Sequence, residues 1–148
     1  MESAVTICAH RPPALFPAGA ERAAIKADFE AEPYFGAGWH DSERTPTGRV
    51  RRGDNRATLL LPLTADHSYQ ISLDLAAATP TRVDAALNGA AVGGCELGGQ
   101  GSSCEVTLSS GMVRDGVNAL TLTAVQSPSP VPPVIFQGAR IIRRPATP

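Results

Sequence analysis

Apolar and polar residues alternate with a period of two along most of this chain. In Tyr69-Gln70-Ile71-Ser72-Leu73-Asp74-Leu75, the apolar residues fall on one side and Gln70, Ser72 and Asp74 on the other. That is the pattern of a strand with one face on a core and one in water. The same period recurs over residues 82–87, 104–108 and 118–125, the last with threonines outward, where β-branched side chains suit a half-exposed pleated surface. Asn88-Gly89 tolerates positive φ and predicts a tight hairpin with a short return strand over residues 90–95. Residues 25–30 and 56–63 ahead of these, and 134–143 behind, bring the count to about eight strands. No window keeps a helical stripe for three turns, so the expected class is all-β, an antiparallel two-sheet β-sandwich or jelly roll. Residues 1–24, broken by Pro12, Pro13 and Pro17, read as an irregular opening, residues 25–143 as a single sandwich domain, and 144–148 as a tail. Ser127-Pro128-Ser129-Pro130-Val131-Pro132-Pro133 reads as an extended connection before the last strand.

A length of 148 residues with 43% apolar content is the size of one domain, able to bury roughly two-thirds of its unfolded surface without a metal or disulfide framework. A formal charge of −1 disfavours nucleic acid, because phosphate-backbone binding needs a concentrated basic surface. The longest aliphatic run, Leu59-Leu60-Leu61, is far too short for a membrane span. The first residues lack a basic stretch followed by an apolar one, which predicts no signal peptide: either a cytoplasmic protein or a domain of a longer exported one. Twelve arginines against one lysine, with twenty-three alanines, read as the codon usage of a GC-rich genome. The arginines are dispersed, and Arg49-Val50-Arg51-Arg52 is their one cluster.

The cysteines are Cys8, Cys95 and Cys104. Cys95 and Cys104 flank a glycine-rich loop where two strands could face each other, leaving open a bridge, which would stabilise by about 2.7 kcal/mol, or two reduced thiols. Neither has the second Cys or His at short spacing that a zinc site shows.

The densest polar and aromatic stretch is Tyr34-Phe35-Gly36-Ala37-Gly38-Trp39-His40-Asp41-Ser42-Glu43-Arg44, with Arg49 shortly after. A Trp beside carboxylates and an Arg matches what a sugar needs, since a pyranose presents C–H faces for stacking and hydroxyls for planar polar groups. In the bland reading Trp39 fills the core, while Glu43 and Arg49 pair to pin a loop. Asp41 and Glu43 fall on one side of a strand, a spacing compatible with a glycosidase pair. No Gly-x-Ser-x-Gly nucleophile motif occurs. His40 and His67 lack metal-ligand spacing, and the Gly93-Gly94 and Gly98-Gly99-Gln100-Gly101 runs lack the Lys-Ser/Thr of a phosphate cradle. Arg52-Gly53-Asp54 matches an adhesion tripeptide by chance, as any three-letter motif does.

The run Gly38-Trp39-His40-Asp41-Ser42-Glu43, then Arg49, then Ala57-Thr58-Leu59-Leu60-Leu61-Pro62-Leu63, resembles the opening of small β-sandwich domains attached to bacterial cell-envelope glycosyltransferases and related carbohydrate enzymes. The following half is similar to galactose-binding-like jelly rolls. Val83-Asp84-Ala85-Ala86-Leu87-Asn88-Gly89 looks like their strand ending in Asn-Gly, and Gly116-Val117-Asn118-Ala119-Leu120 like their Gly-x-Asn-x-Leu strand entry. The likeness runs over residues 25 to 143, but Val50 or Arg51 stands where the family has an aromatic after the arginine. The Gly-x-Asn step also has a structural account, with Gly116 in a turn and the Asn118 amide bonding neighbouring backbone.

The resemblance implies a non-catalytic, carbohydrate-binding accessory domain tied to bacterial envelope glycan synthesis or modification. Trp39 would be its stacking platform and His40, Asp41, Glu43 and Arg49 its hydroxyl partners. The expected partner is a glycan or a glycosyltransferase-type chain, with an extracytoplasmic location if the domain belongs to a larger envelope protein. A structural calcium is common in such folds, but the sequence does not place its oxygen ligands. The alternatives are a structural or protein-interaction sandwich with no sugar ligand, and a small glycoside hydrolase using Asp41 and Glu43.

Overall fold

The computed structural model describes residues 12–17, 19–28, 30–46, 48–77, 80–97, 102–124 and 134–145. The proline-dense connection at 127–133, the Gly98 to Gly101 loop and Cys8 lie outside the described residues. The strands are β1 (Arg22–Lys26), β2 (Glu43–Thr45), β3 (Gly48–Gly53), β4 (Arg56–Leu63), β5 (His67–Ala76), β6 (Thr81–Leu87), β7 (Ala90–Leu97), β8 (Ser102–Leu108), β9 (Gly116–Ala124) and β10 (Val134–Pro145). They form two antiparallel sheets, one in the order β2-β3-β10-β5-β8 with β1 also on β10, the other in the order β4-β9-β6-β7. The all-β sandwich that the alternation predicts is therefore the fold.

The difference lies in the strand count. The hairpin β2–β3 falls where the sequence reads as a loop, and β1 runs over Arg22–Lys26 rather than residues 25–30. Glu43-Arg44-Thr45 and Gly48-Arg49-Val50-Arg51-Arg52-Gly53 carry almost no apolar alternation, so no periodicity announces them. Their partner creates them. β10 pairs on one side with β3 through Val134, Ile135 and Phe136 and with β1 through residues 138–142, and on the other with β5, where the register shifts between Phe136 and Gly138.

The core is the inward half of each alternating strand. Tyr69, Ile71, Leu73 and Leu75 of β5 with Val106 and Leu108 of β8 are buried against Leu59, Leu61 and Leu63 of β4, Leu120 and Leu122 of β9, and Val83 and Leu87 of β6. Each such burial is worth about 1.5–3 kcal/mol. Pro62 sits in β4, an outer strand of its sheet, where a missing N–H is tolerated.

Two local motifs hold the register. Asn88 (φ 50°) and Gly89 (φ 92°) turn β6 into β7 as a tight hairpin. The Asn88 side chain donates to Asn118 Oδ1 at 2.9 Å and accepts the Ala119 N–H at 2.9 Å. Asn118, wholly buried, donates in turn to the carbonyls of Arg114 and Gly116. This paired amide locks the β6–β7 turn to the entry of β9, the structural account of the Gly-x-Asn step. Cys95 and Cys104 form a disulfide, with Cα atoms 5.6 Å apart. It joins β7, the edge of one sheet, to β8, the edge of the other, so the bridge closes that flank of the sandwich.

Candidate functional site

Residues 35–40 cross one end of the sandwich from β4 to β3. Phe35 bridges Leu59, the Gly36 N–H donates to Thr58 O at 2.8 Å, Trp39 bridges Gly53, and the His40 N–H donates to Arg52 O at 2.9 Å. The crossing requires Gly38: its φ is +93°, and a Cβ there would stand 2.1 Å from the Arg56 carbonyl oxygen.

This path sets the indole of Trp39 half-buried at the rim of the core. Its Nε1–H donates to Thr58 O at 2.9 Å. Its ring meets Phe35 and Phe136 edge to face, each at 5.5 Å between centroids, and Phe35 meets Phe136 at 5.3 Å. The lone Trp thus belongs to an aromatic trio that ties the two sheets together.

Arg51 faces the core, opposite Phe136, and is 1% exposed. Its guanidinium stacks on Phe35 at 4.2 Å. It donates to Glu32 Oε1 at 2.6 Å, Asp28 O at 3.0 Å and His40 O at 3.4 Å, while Nε has no partner among the described residues. One rigid fork therefore gathers three loop segments under the Trp39 crossing. The sequence signals a basic cluster here, but strand parity alone does not say which arginine is buried.

The other candidates are placed as follows. His40, exposed, contacts Asp54 at 2.7 Å through Nε2. Glu43 pairs with Arg52 at 2.9 Å, both half-exposed. Arg49 donates to Ser42 Oγ at 3.2 Å, and Ser42 donates to Ala27 O at 2.6 Å. Asp41 is exposed, with no hydrogen bond or ion pair to any described residue. Arg49 also lines a cavity of about 300 Å³ with Lys26, Asp28 and Gln137. The structure gathers His40, Glu43 and their partners along β2–β3, whereas Trp39 turns to the aromatic trio. Asp54, Arg52 and Ser42 are the partners that sequence reasoning missed. The adhesion-like tripeptide is internally engaged: Arg52 holds Glu43, Gly53 lies under Trp39 and Asp54 holds His40.

Nearby, Tyr34 donates to Pro13 O and Ala14 O, and burial raises its phenol above the usual range. His67 contacts Asp66 and Thr64, separate from His40. No group of three or more His, Cys, Asp or Glu able to hold a metal gathers among the described residues. No described helix is long and apolar enough to cross a membrane.

No protein-family profile and no curated protein matches the chain. Solved structures do. The C-terminal family 6 carbohydrate-binding module of LamC, a laminarinase of Zobellia galactanivorans, superposes with TM-score 0.54 at 16% identity, over 82% of this chain and 98% of that one. The first family 36 module of a multidomain xylanase from the hindgut metagenome of Trinervitermes trinervoides gives 0.54 at 13% identity, over 81% and 95%. A family 6 module from Clostridium stercorarium, solved in complex with cellobiose, gives 0.51 at 16% identity, over 86% and 99%. The likeness is one of fold, the two-sheet β-sandwich.

Proposed function

We propose that this chain is a non-catalytic carbohydrate-binding accessory module, a single sandwich domain, with its glycan site on the edge formed by Trp39, His40, Asp41, Glu43 and Arg49. The observation that carries the reading is the row of pre-set polar pairs beside the half-buried indole: His40 with Asp54, Glu43 with Arg52, and Arg49 with Ser42. Sugar hydroxyls both donate and accept, and groups already held in place lose little entropy on binding them. The fold neighbours are named for carbohydrate binding, which supports the same class.

The resemblance of residues 38–63 extends the proposal to a partner, an enzyme of bacterial envelope glycan synthesis or modification. The Cys95–Cys104 bridge supports an oxidising, extracytoplasmic setting. A second reading, a structural or protein-interaction domain, draws on the same Trp39, whose N–H is already satisfied by Thr58.

Retention on immobilised neutral polysaccharides separates the two. Binding by the wild type that weakens in Trp39→Ala, His40→Ala and Asp41→Ala supports the glycan site. Equal retention of wild type and all variants removes it. Trp39 emission that is blue-shifted, unquenchable and unmoved by sugar supports the interaction domain.

A further inference from the structure

We infer a second binding site, for a uronic-acid-bearing saccharide, on the outward face of the six-stranded sheet; it rests on the carbohydrate-binding reading above. The strand register lines up polar side chains across this face. Ala24 of β1 is opposite Arg140 of β10, Arg140 opposite Ser72 of β5, and Ser72 opposite Glu105 of β8. In the neighbouring rows Arg22 is opposite Ile142, and Gly138 is opposite Asp74.

A cavity of about 450 Å³ opens where the small Ala24 stands between the two arginines, lined by Arg22, Ala24, Ser72, Arg140 and Ile142. Its floor is apolar and its rim cationic. The side chain of exposed Arg22 has no hydrogen bond or ion pair to any described residue. Arg140 is held only loosely, 3.7 Å from Asp74, with 68% of its side chain exposed. Around one cavity, the Arg22 guanidinium and that of Arg140, which keeps only a long contact to Asp74, call for a carboxylate.

The acidic half of the same face narrows the ligand. Glu105 accepts from Ser72 at 2.9 Å and from Ser103 at 2.7 Å. Those hydroxyls hold its carboxyl below the usual range, with the Arg140 charge adding to the effect. Glu105 therefore stands as an oriented acceptor two strands from β10, roughly 10 Å away, with the Asp74 carboxylate closer, 3.7 Å from Arg140. A dense polyanion such as nucleic acid or a phospholipid surface would be repelled there. A sugar offers one carboxylate to the arginines and neighbouring hydroxyls to the two acceptors, with its C–H face on Ala24 and Ile142.

The test is affinity electrophoresis through gels containing polygalacturonate, its neutral methyl-esterified form, alginate, or dextran sulfate, with anionic phospholipid vesicles tested by co-sedimentation. Wild type, Arg22→Ala, Arg140→Ala and the Trp39-end variant His40→Ala/Asp41→Ala are compared, each checked for an unchanged melting temperature. The expected result is retardation by at least one uronate and not by the ester. Affinity should fall about tenfold for each arginine removed, the loss of one charge-assisted contact, and persist in the His40→Ala/Asp41→Ala variant. The inference is overturned if neither uronate retards the protein, if ester and acid act equally, or if the arginine variants bind as wild type. It is equally overturned if dextran sulfate or vesicles bind as strongly with the same arginine dependence. Neutral-polysaccharide binding that survives any of these failures leaves the Trp39-edge site standing. Arginine-dependent uronate binding without any neutral binding removes that site and keeps this one.

Discussion

The indole of Trp39 lies directly on Gly53: a Cβ built on Gly53 would stand 2.9 Å from Cζ3 and 3.2 Å from Cε3 of the ring. The glycine is thus part of the Trp39 seat. With the indole N–H on Thr58 of β4 and its ring on Gly53 of β3, one side chain spans both sheets. Ordering of the candidate edge and closure of the sandwich are therefore the same event.

Gly53→Ala should push Trp39 off this seat. Overpacking of this kind costs about 1–3 kcal/mol. Because the chain has a single Trp, its emission reports the site alone. A red shift together with a lowered melting temperature is expected; wild-type emission and stability in the variant would contradict the seat.

Arg51→Lys should also destabilise, by about 1–3 kcal/mol. A lysine cannot reach Glu32, Asp28 O and His40 O together or stack flat on Phe35. Urea unfolding should give a lower midpoint with an unchanged slope. A midpoint equal to wild type would show that a charge suffices and the fork does not matter.

Removing the disulfide by Cys95→Ser should cost about 2.7 kcal/mol in the chain-entropy model. The bridge ties edge strands of different sheets, so the loss should be local first. Amide exchange is expected to accelerate in β7 and β8 ahead of β5 and β9, whose neighbours on both sides remain. Uniform acceleration across the domain would refute a local clamp.

Glu105 sets a pH dependence. Hydrogen bonds from Ser103 and Ser72 lower its pKa in the folded state. Its stabilising contribution is therefore present above the unfolded carboxyl range and disappears as pH falls through the depressed folded value. In Ser72→Ala/Ser103→Ala the Glu105 carboxyl, followed by carbon-13 NMR, should titrate at higher pH than in wild type. An unchanged titration would assign the shift to another cause.

The sequence by itself determined the class of fold. Period-two alternation in β5, β6, β8 and β9, together with Asn88-Gly89, specifies which side of each strand is buried and where one hairpin turns, because burial parity and positive φ are properties of local residue type. It also marked the stretch around Trp39 as chemically dense. Tertiary structure decided what those residues touch. The hairpin β2–β3 exists because β10 offers a pairing edge, which no local pattern encodes. The burial of Arg51 rather than Arg52 depends on which face of β3 turns inward at Phe136, and its burial rather than that of Arg49, which shares its face, depends on how far β10 pairs along β3. The row Ala24, Arg140, Ser72, Glu105 joins residues from four strands far apart in the chain. Side-chain parity is read within one strand, whereas register between strands is fixed only when the two sheets pack and every inward residue must find the core at once.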